Sequence, residues 1–223
     1  MQNLIEQIIN DAQEKRGVRR YLLGIVGAPG AGKTTLAERL VQGINAFAQR
    51  PIAAGVPMDG FHLSNAILDE KNLRPLKGIP DTFDAVGLVN LLGALRETPL
   101  HTVNCPAFDR EFDEPTRDAI TVSPENKIVV VEGNYLLLKQ DPWNRIAPLL
   151  DEAWYIDVQQ ETIEPRLLER HILGGRSPAA ARLKMESTDL PNARLIAATR
   201  IYASRIVCAN DDGSYSVTTS VAP

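Results

Sequence analysis

Within Tyr21 to Thr35, YLLGIVGAPGAGKTT, the residues Gly27, Gly32, Lys33 and Thr34 fall at the spacing G-x-x-x-x-G-K-[ST]. Gly27, Gly30 and Gly32 let the backbone curl, so the stretch Gly27, Ala28, Pro29, Gly30, Ala31, Gly32, Lys33, Thr34 and Thr35 can wrap a polyphosphate with inward-facing N–H groups. A helix starting near Gly32 brings its positive end to the same point. Lys33 then neutralises the β- and γ-phosphates, and the Thr34 hydroxyl suits a magnesium ion. The competing reading is a glycine-rich turn between core elements. The context argues against it, because an apolar strand, Tyr21 to Val26, enters the loop. A helix with Leu36, Leu40, Ile44 and Phe47 on one stripe leaves it. The stretch reads as a nucleoside triphosphate site.

Other residue types bear chemistry at the ends of further strands. Asp59 follows the apolar run Pro51 to Met58 directly, and a carboxylate at the carboxyl end of a parallel strand lies where such sheets bind ligands. Glu132 ends the run Ile128 to Val131, the Walker-B arrangement that sets an acid near magnesium. His62 either touches a second substrate or is fixed by packing. Asp81 and Asp84 read equally as pocket residues or as helix caps. Asp109 and Arg110 either contact a hydroxylated substrate or form a solvated pair, the simpler reading. Arg166 and Arg170 lie four apart on a helix over about Thr162 to Leu173, which runs into Gly174-Gly175-Arg176-Ser177. That reads as a glycine-hinged arginine lid, against a solvated helix face paired with Glu164 and Glu169. Between these lies Leu63 to Pro80, a long polar segment with Lys71, Arg74 and Lys77, which reads as a binding loop.

The elements that position these residues alternate along the chain. Leu4, Ile5, Ile8, Ile9 and Ala12 predict an N-terminal helix closed by Gly17, whose apolar face is a candidate contact for a homodimer. Asp81 to Asp84 cap a helix with Val86, Val89, Leu92 and Leu95 as its stripe. His101 to Arg117 starts strand-like and breaks into a charged loop at Pro106. Ala153 to Val158 is a strand, Leu195, Ile196, Thr199 and Tyr202 mark a last helix, and Ile206 to Ala209 a final strand. The ending DDGSYSVTTSVAP, a tail over 211–223, is polar and reads as either partly disordered or a short hairpin. Residues 1–223 thus read as a single three-layer α/β domain with a mainly parallel sheet. The net charge of −4 and the lack of a basic run exclude a nucleic-acid backbone as the main partner. Cys105 and Cys208 read as reduced core thiols. No apolar stretch spans a membrane and the N-terminus lacks a signal-peptide pattern, so a soluble cytoplasmic protein is expected.

The set GAPGAGKTT, MDGFH, GIPDTFD, VVVEGNYLLL, RHILGGRS and DLPNARLI, from Arg19 to Asn210, resembles the P-loop kinase family containing uridine kinase, phosphoribulokinase and bacterial-type pantothenate kinase. It is most similar to the nucleoside/nucleotide kinase-like branch, some members of which are described as sugar-transport-associated kinases. The resemblance implies a P-loop NTPase fold with a five-stranded parallel core of order 2-3-1-4-5. It implies transfer of a phosphoryl group from ATP with Mg²⁺ to a hydroxyl of a nucleoside, sugar or pantothenate-like metabolite. It makes Asp59 the catalytic base, with Lys33, Arg170 and Arg176 acting on the phosphates, and Thr34 and Glu132 holding the metal. It places Phe83 and Asp84, with Asp109, Arg110 and His62, on the acceptor side. Asn192 falls near the nucleotide base, and residues 163–190 form the lid. The lid lacks the full arginine-dense pattern of uridine kinases, and the chain is shorter than typical pantothenate kinases. A nucleoside acceptor calls for stacking on Phe61 or Phe83; a sugar or pantothenate acceptor relies on Asp84, Asp109 and Arg110. A GTPase would need D-x-x-G and N-K-x-D motifs in suitable places, and these are missing. A catalytically silent nucleotide-binding regulator is the alternative class.

Overall fold

The apolar run Tyr21–Gly27 (β1) is buried along its whole length because it lies in the middle of a six-stranded sheet. The computed structural model describes residues 1–15, 17–210 and 214–219. The sheet order is β2 (Ala53–Pro57), β5 (Ile128–Gly133), β1, β6 (Glu152–Asp157), β7 (Arg205–Ala209) and β8 (Tyr215–Thr219). The first five strands are parallel, and counted along the chain they give the implied order 2-3-1-4-5. The sixth corrects the expected strand count. Tyr215, Val217 and Thr219 alternate along β8, which pairs antiparallel with β7 as a hairpin, and Tyr215 and Val217 lean onto the core. The rest of the expected tail, 211–213 and 220–223, lies outside the described residues.

Helices cover both faces, and β1 sends alternate residues to each. Leu23 and Ile25 join α1 (Gln2–Lys15) and α2 (Lys33–Ala48), while Leu22 and Val26 join α4 (Ala85–Arg96). The α1 stripe is buried as expected at Leu4, Ile5, Ile8 and Ala12. It packs on α2 so closely that a Cβ at Gly43 would lie 2.3 Å from Ile5 Cδ1. The face offered for a homodimer is therefore used within the chain. In α4 the buried residues are Ala85, Leu88, Leu92 and Leu95, with Val86 exposed. Leu92 and Leu95 are thus buried as expected and Val89 packs at the edge of the core, while Asp84, which caps the helix one residue before Ala85, starts it so that Ala85 rather than Val86 turns inward.

The larger departure is at 103–122. The expected charged loop beyond Pro106 is instead an antiparallel ribbon of β3 (Val103–Asp109) and β4 (Glu114–Val122), separate from the main sheet. The strand survives its proline because the register shifts between Cys105 and Ala107, leaving Pro106 at an irregularity where no ladder bond is needed. The remaining helices are α3 (Asn65–Glu70), α5 (Gln160–Leu173), α6 (Pro178–Lys184) and α7 (Leu190–Ala197), with a π-turn at Met185–Asp189 before α7. Among the described residues no helix is long and apolar enough to cross a membrane.

Candidate active site

Parallel pairing brings the carboxyl ends of β1, β5 and β2 side by side. Val26 is opposite Gly133, and Pro57 is opposite Glu132. The glycine loop that leaves β1, Glu132 at the end of β5, and Asp59 two residues past β2 thus converge from three neighbouring strands. In the loop, Gly30 (φ 79°) and Gly32 (φ 91°) take left-handed backbone that β-carbon-bearing residues resist. Gly32 is the N-cap of α2, so the first free N–H groups of that helix face the loop interior. A side chain at Gly30 would also press on Leu167, where α5 packs against the loop.

Lys33 Nζ donates to the Ala28 carbonyl at 3.0 Å. Burial lowers its pKa, opposed by the nearby charges of Glu132 and Asp59. The Thr34 hydroxyl donates to Glu132 Oε1 at 3.0 Å. Burial raises the Glu132 pKa, the Asp59 charge adds to the rise, and Lys33 opposes it. A hydroxyl and a carboxylate in contact, with a second carboxylate in electrostatic reach, form a hard oxygen set. Among the described residues no group of three or more His, Cys, Asp or Glu side chains forms a protein-only cage. That combination fits magnesium, which keeps waters and phosphate oxygens among its ligands, better than a soft or fully caged ion.

Asp59 Oδ2 accepts from Arg110 Nη2 at 3.2 Å. Arg110 therefore faces the site from the β3–β4 turn, paired with Asp59 rather than with its neighbour. Asp109 does something different: its Oδ1 accepts from the Glu111 and Phe112 amides and holds that turn. Asp84 Oδ1 accepts from Gly87 N as the cap of α4. His62 stacks on Phe83 (ring centroids 3.9 Å apart, 26° between planes) and tilts against Phe108 at 4.9 Å. Burial pushes the His62 pKa down to about 4, with Asp59 opposing, so its imidazole is neutral near pH 7. Phe83 in turn meets Tyr135 and Trp143 edge-on.

Lys33, Thr34, Asp59, His62, Arg110 and Glu132 line one cleft of about 1180 Å³ with Phe83 and Phe108, whereas Asp84 and Asp109 are not among its lining residues. Its far rim is α5, α6 and the π-turn. Arg170 lies in electrostatic reach of Lys33, Arg166 touches the Gly30 carbonyl, and Arg176 contacts His171, which is held by Asp189 at 2.6 Å. Asn192 is buried and donates to the Gly78 carbonyl at 2.9 Å, which Tyr135 Oη also reaches at 2.6 Å. Both tie down the 63–80 segment. Lys184, also in the cleft wall, carries no sequence signal, because its partners are the carbonyls of Pro75 and Lys77 more than a hundred residues away.

No protein-family model matches the chain. It is 35% identical over 161 residues, 70% of this chain and 68% of the relative, to a Schizosaccharomyces pombe protein provisionally named a uridine kinase. It is 36% identical over 162 residues, 69% of this chain and 94% of the relative, to an ATP-dependent kinase-like protein, notR′, of Aspergillus versicolor. The chain belongs to the uridine kinase-like P-loop kinases. Among solved structures, a protein of Silicibacter sp. TM1040, provisionally described as a fructose transport system kinase, superposes with a TM-score of 0.80 at 36% identity. That match covers 88% of this kinase and 93% of its neighbour.

Proposed function

We propose that the kinase transfers the γ-phosphoryl group of ATP to a hydroxyl of a small metabolite, with Asp59 as the general base. The observation that carries this reading is the register Pro57↔Glu132, which puts Asp59 beside the Thr34–Glu132 pair, where its charge reaches both Glu132 and Lys33. A general base belongs within reach of both the acceptor and the phosphate donor, and a carboxylate serving only as a surface group does not need that position. In this reading the loop amides of Gly27 to Thr35 hold the β- and γ-phosphates, and Lys33 exchanges the Ala28 carbonyl for phosphate oxygen. Thr34 and Glu132 would hold a magnesium ion, which would supply positive charge against the phosphate oxygens. Arg170 and Arg176 close over the same charge from the rim, residues 163–190 acting as a lid of one kinase domain. Arg110 orients one oxygen of Asp59 and leaves the other for the acceptor hydroxyl. The acceptor oxygen forms the new P–O bond, the bond to the β-phosphate breaks, the proton passes to Asp59, and ADP leaves.

The test is Asp59→Asn with ADP release measured over a panel of hydroxylated metabolites. Turnover falls by about 10²- to 10⁴-fold while MgATP affinity is kept. Turnover within about fivefold of wild type removes Asp59 from the base role, and loss of nucleotide affinity makes it a metal residue instead. A wild-type protein that binds MgATP and phosphorylates nothing on the panel is a regulator, not a kinase.

A further inference from the structure

The cleft is more basic than the chain around it. Leaving histidines aside, seven cations and five carboxylates line it, in a protein of net charge −4. Several of those charges are already matched. Lys77 pairs with Asp113 at 3.1 Å, Arg110 with Asp59, and Arg74 with Asp69 outside the cleft wall. Lys33, Arg170 and Arg176 are given to the phosphate donor in the reading above. Lys184 is left over.

Lys184 is half-buried on α6, and its Nζ donates to the Pro75 carbonyl at 3.1 Å and the Lys77 carbonyl at 2.8 Å. An ammonium has three protons, so two are committed and one is free. Both carbonyls belong to the 63–80 segment, so the charge is held against that wall of the cleft. Among the described residues no carboxylate forms an ion pair with it; burial pulls its pKa down, the more distant charges of Asp189 and Asp113 oppose the fall, and Arg176 and Lys77 add to it. A fixed, partly desolvated cation with one open donor favours an arriving anion.

A second observation bears on the same acceptor. The aromatic faces that a nucleobase would need are taken. Phe61 and Phe83 are each only 7% exposed. His62 covers Phe83, and Phe108 carries His62 on one side and the Lys77 ammonium 5.0 Å from its centroid. The floor of the acceptor half is a closed aromatic stack, not an open slot.

From these two features the geometry points to an acceptor that is a compact hydroxylated anion, a hydroxy acid or a sugar phosphate, whose carboxylate or phosphate is anchored by Lys184. This rests on the kinase reading above and narrows it. The hydroxyl faces Asp59 while the anionic end is held across the cleft, so one molecule spans base and anchor. A carboxylate and a phosphate are both within the reach of a single lysine donor, and the panel distinguishes them.

The experiment measures MgATP turnover with uridine, fructose, D-glycerate and fructose 6-phosphate, then repeats the best acceptor with Lys184→Gln and Lys184→Arg. Expected is turnover with D-glycerate or fructose 6-phosphate and none with uridine or fructose. Lys184→Gln raises the acceptor KM about 10- to 100-fold, the loss of one charge-assisted bond, with a clearly smaller effect on the MgATP KM. Lys184→Arg, which keeps the charge and can keep the carbonyl bonds, restores most of the affinity. Phosphorylation of uridine or fructose, or an acceptor KM that Lys184→Gln leaves unmoved, overturns the anion anchor while leaving the kinase intact. If none of the four is phosphorylated, the decision passes from turnover to binding. Calorimetry of D-glycerate and fructose 6-phosphate on the MgADP-bound protein then decides the anchor. Binding lost in Lys184→Gln upholds it, and no binding by wild type overturns it.

Discussion

His62 gives the site a pH signature that can be worked out in numbers. Its ring lies between Phe83 and Phe108, with Asp59, Lys77 and Asp113 as the charged groups around it. Burial is the largest influence and takes the pKa from 6.5 in the unfolded chain to about 4 in the folded one. Between those values the unfolded state binds the proton and the native state does not, so stability rises with pH and is lost as pH falls through that window. The full loss, below about pH 4, is about 3 kcal/mol. Between pH 7 and pH 5 it is about 2 kcal/mol, or roughly 4–8 °C in Tm for a chain of this length. The perturbation is His62→Phe, which keeps an aromatic ring in the stack and removes the proton site. Other groups titrate too. The raised Glu132 acts in the opposite direction, since the native state takes its proton first. The quantity to measure is therefore the wild-type minus variant stability, from denaturant unfolding at pH 7, 6 and 5. That difference should shift by about 2 kcal/mol toward the variant on acidification. A difference constant to within about 0.5 kcal/mol would refute the claim that the ring is held neutral by burial.

Three further outcomes follow from single contacts. Glu132→Gln should raise the Mg²⁺ concentration for half-maximal turnover at least about tenfold with little change in acceptor KM, and an unchanged magnesium titration counts against the Thr34–Glu132 metal site. Gly60→Ala should cost roughly 1–3 kcal/mol and raise acceptor KM, because its Cβ would lie 2.4 Å from the Pro106 carbonyl of the ribbon that carries Arg110; unfolding curves at the wild-type midpoint would show otherwise. Arg20→Met should cost about 3–5 kcal/mol in urea unfolding. The side chain is fully buried and donates to four carbonyls, those of Leu95, His101, Ser123 and Asn126, which the variant leaves unpaired. A loss below about 1 kcal/mol would mean water reaches those carbonyls.

What was legible in the sequence is what local chemistry dictates. The glycine loop has no substitutes for Gly30 and Gly32 at positive φ, and β1 and β5 are so apolar that only a buried strand fits them. The sheet order followed from the family resemblance those motifs carry. The ribbon was not legible because β4 is mostly solvent-exposed on both faces, so it has no apolar alternation, and Pro106 looks like a stop. In α4 only the first turn was misread: Leu92 and Leu95 point inward as expected, but Ala85 and Leu88 are buried where Val86 and Val89 were expected. Its sequence, AVGLVNLLGALR, is apolar nearly all round, so the cap at Asp84 and the packing against β5 decide which residues turn inward.

That division has a physical basis that bears on specificity. The donor half is built from neighbours in sequence plus one strand pairing: Ala28 with Lys33, Gly32 with α2, Thr34 with Glu132. Backbone geometry fixes most of it, so side chains outside the motif have little influence on it. The acceptor half is assembled by contacts between distant segments. Arg110 reaches Asp59 across 51 positions, His62 is held by Phe83 and Phe108, and Lys184 is placed by carbonyls 107 and 109 positions upstream. Each of those contacts rests on a side chain of the ribbon, the 63–80 segment or α6, and none belongs to the glycine loop. Substitutions there can redirect the acceptor while the phosphate cradle is left as it is. Grafting residues 103–122 and Lys184 together is then a more direct route to a changed acceptor than any change within Gly27 to Thr35.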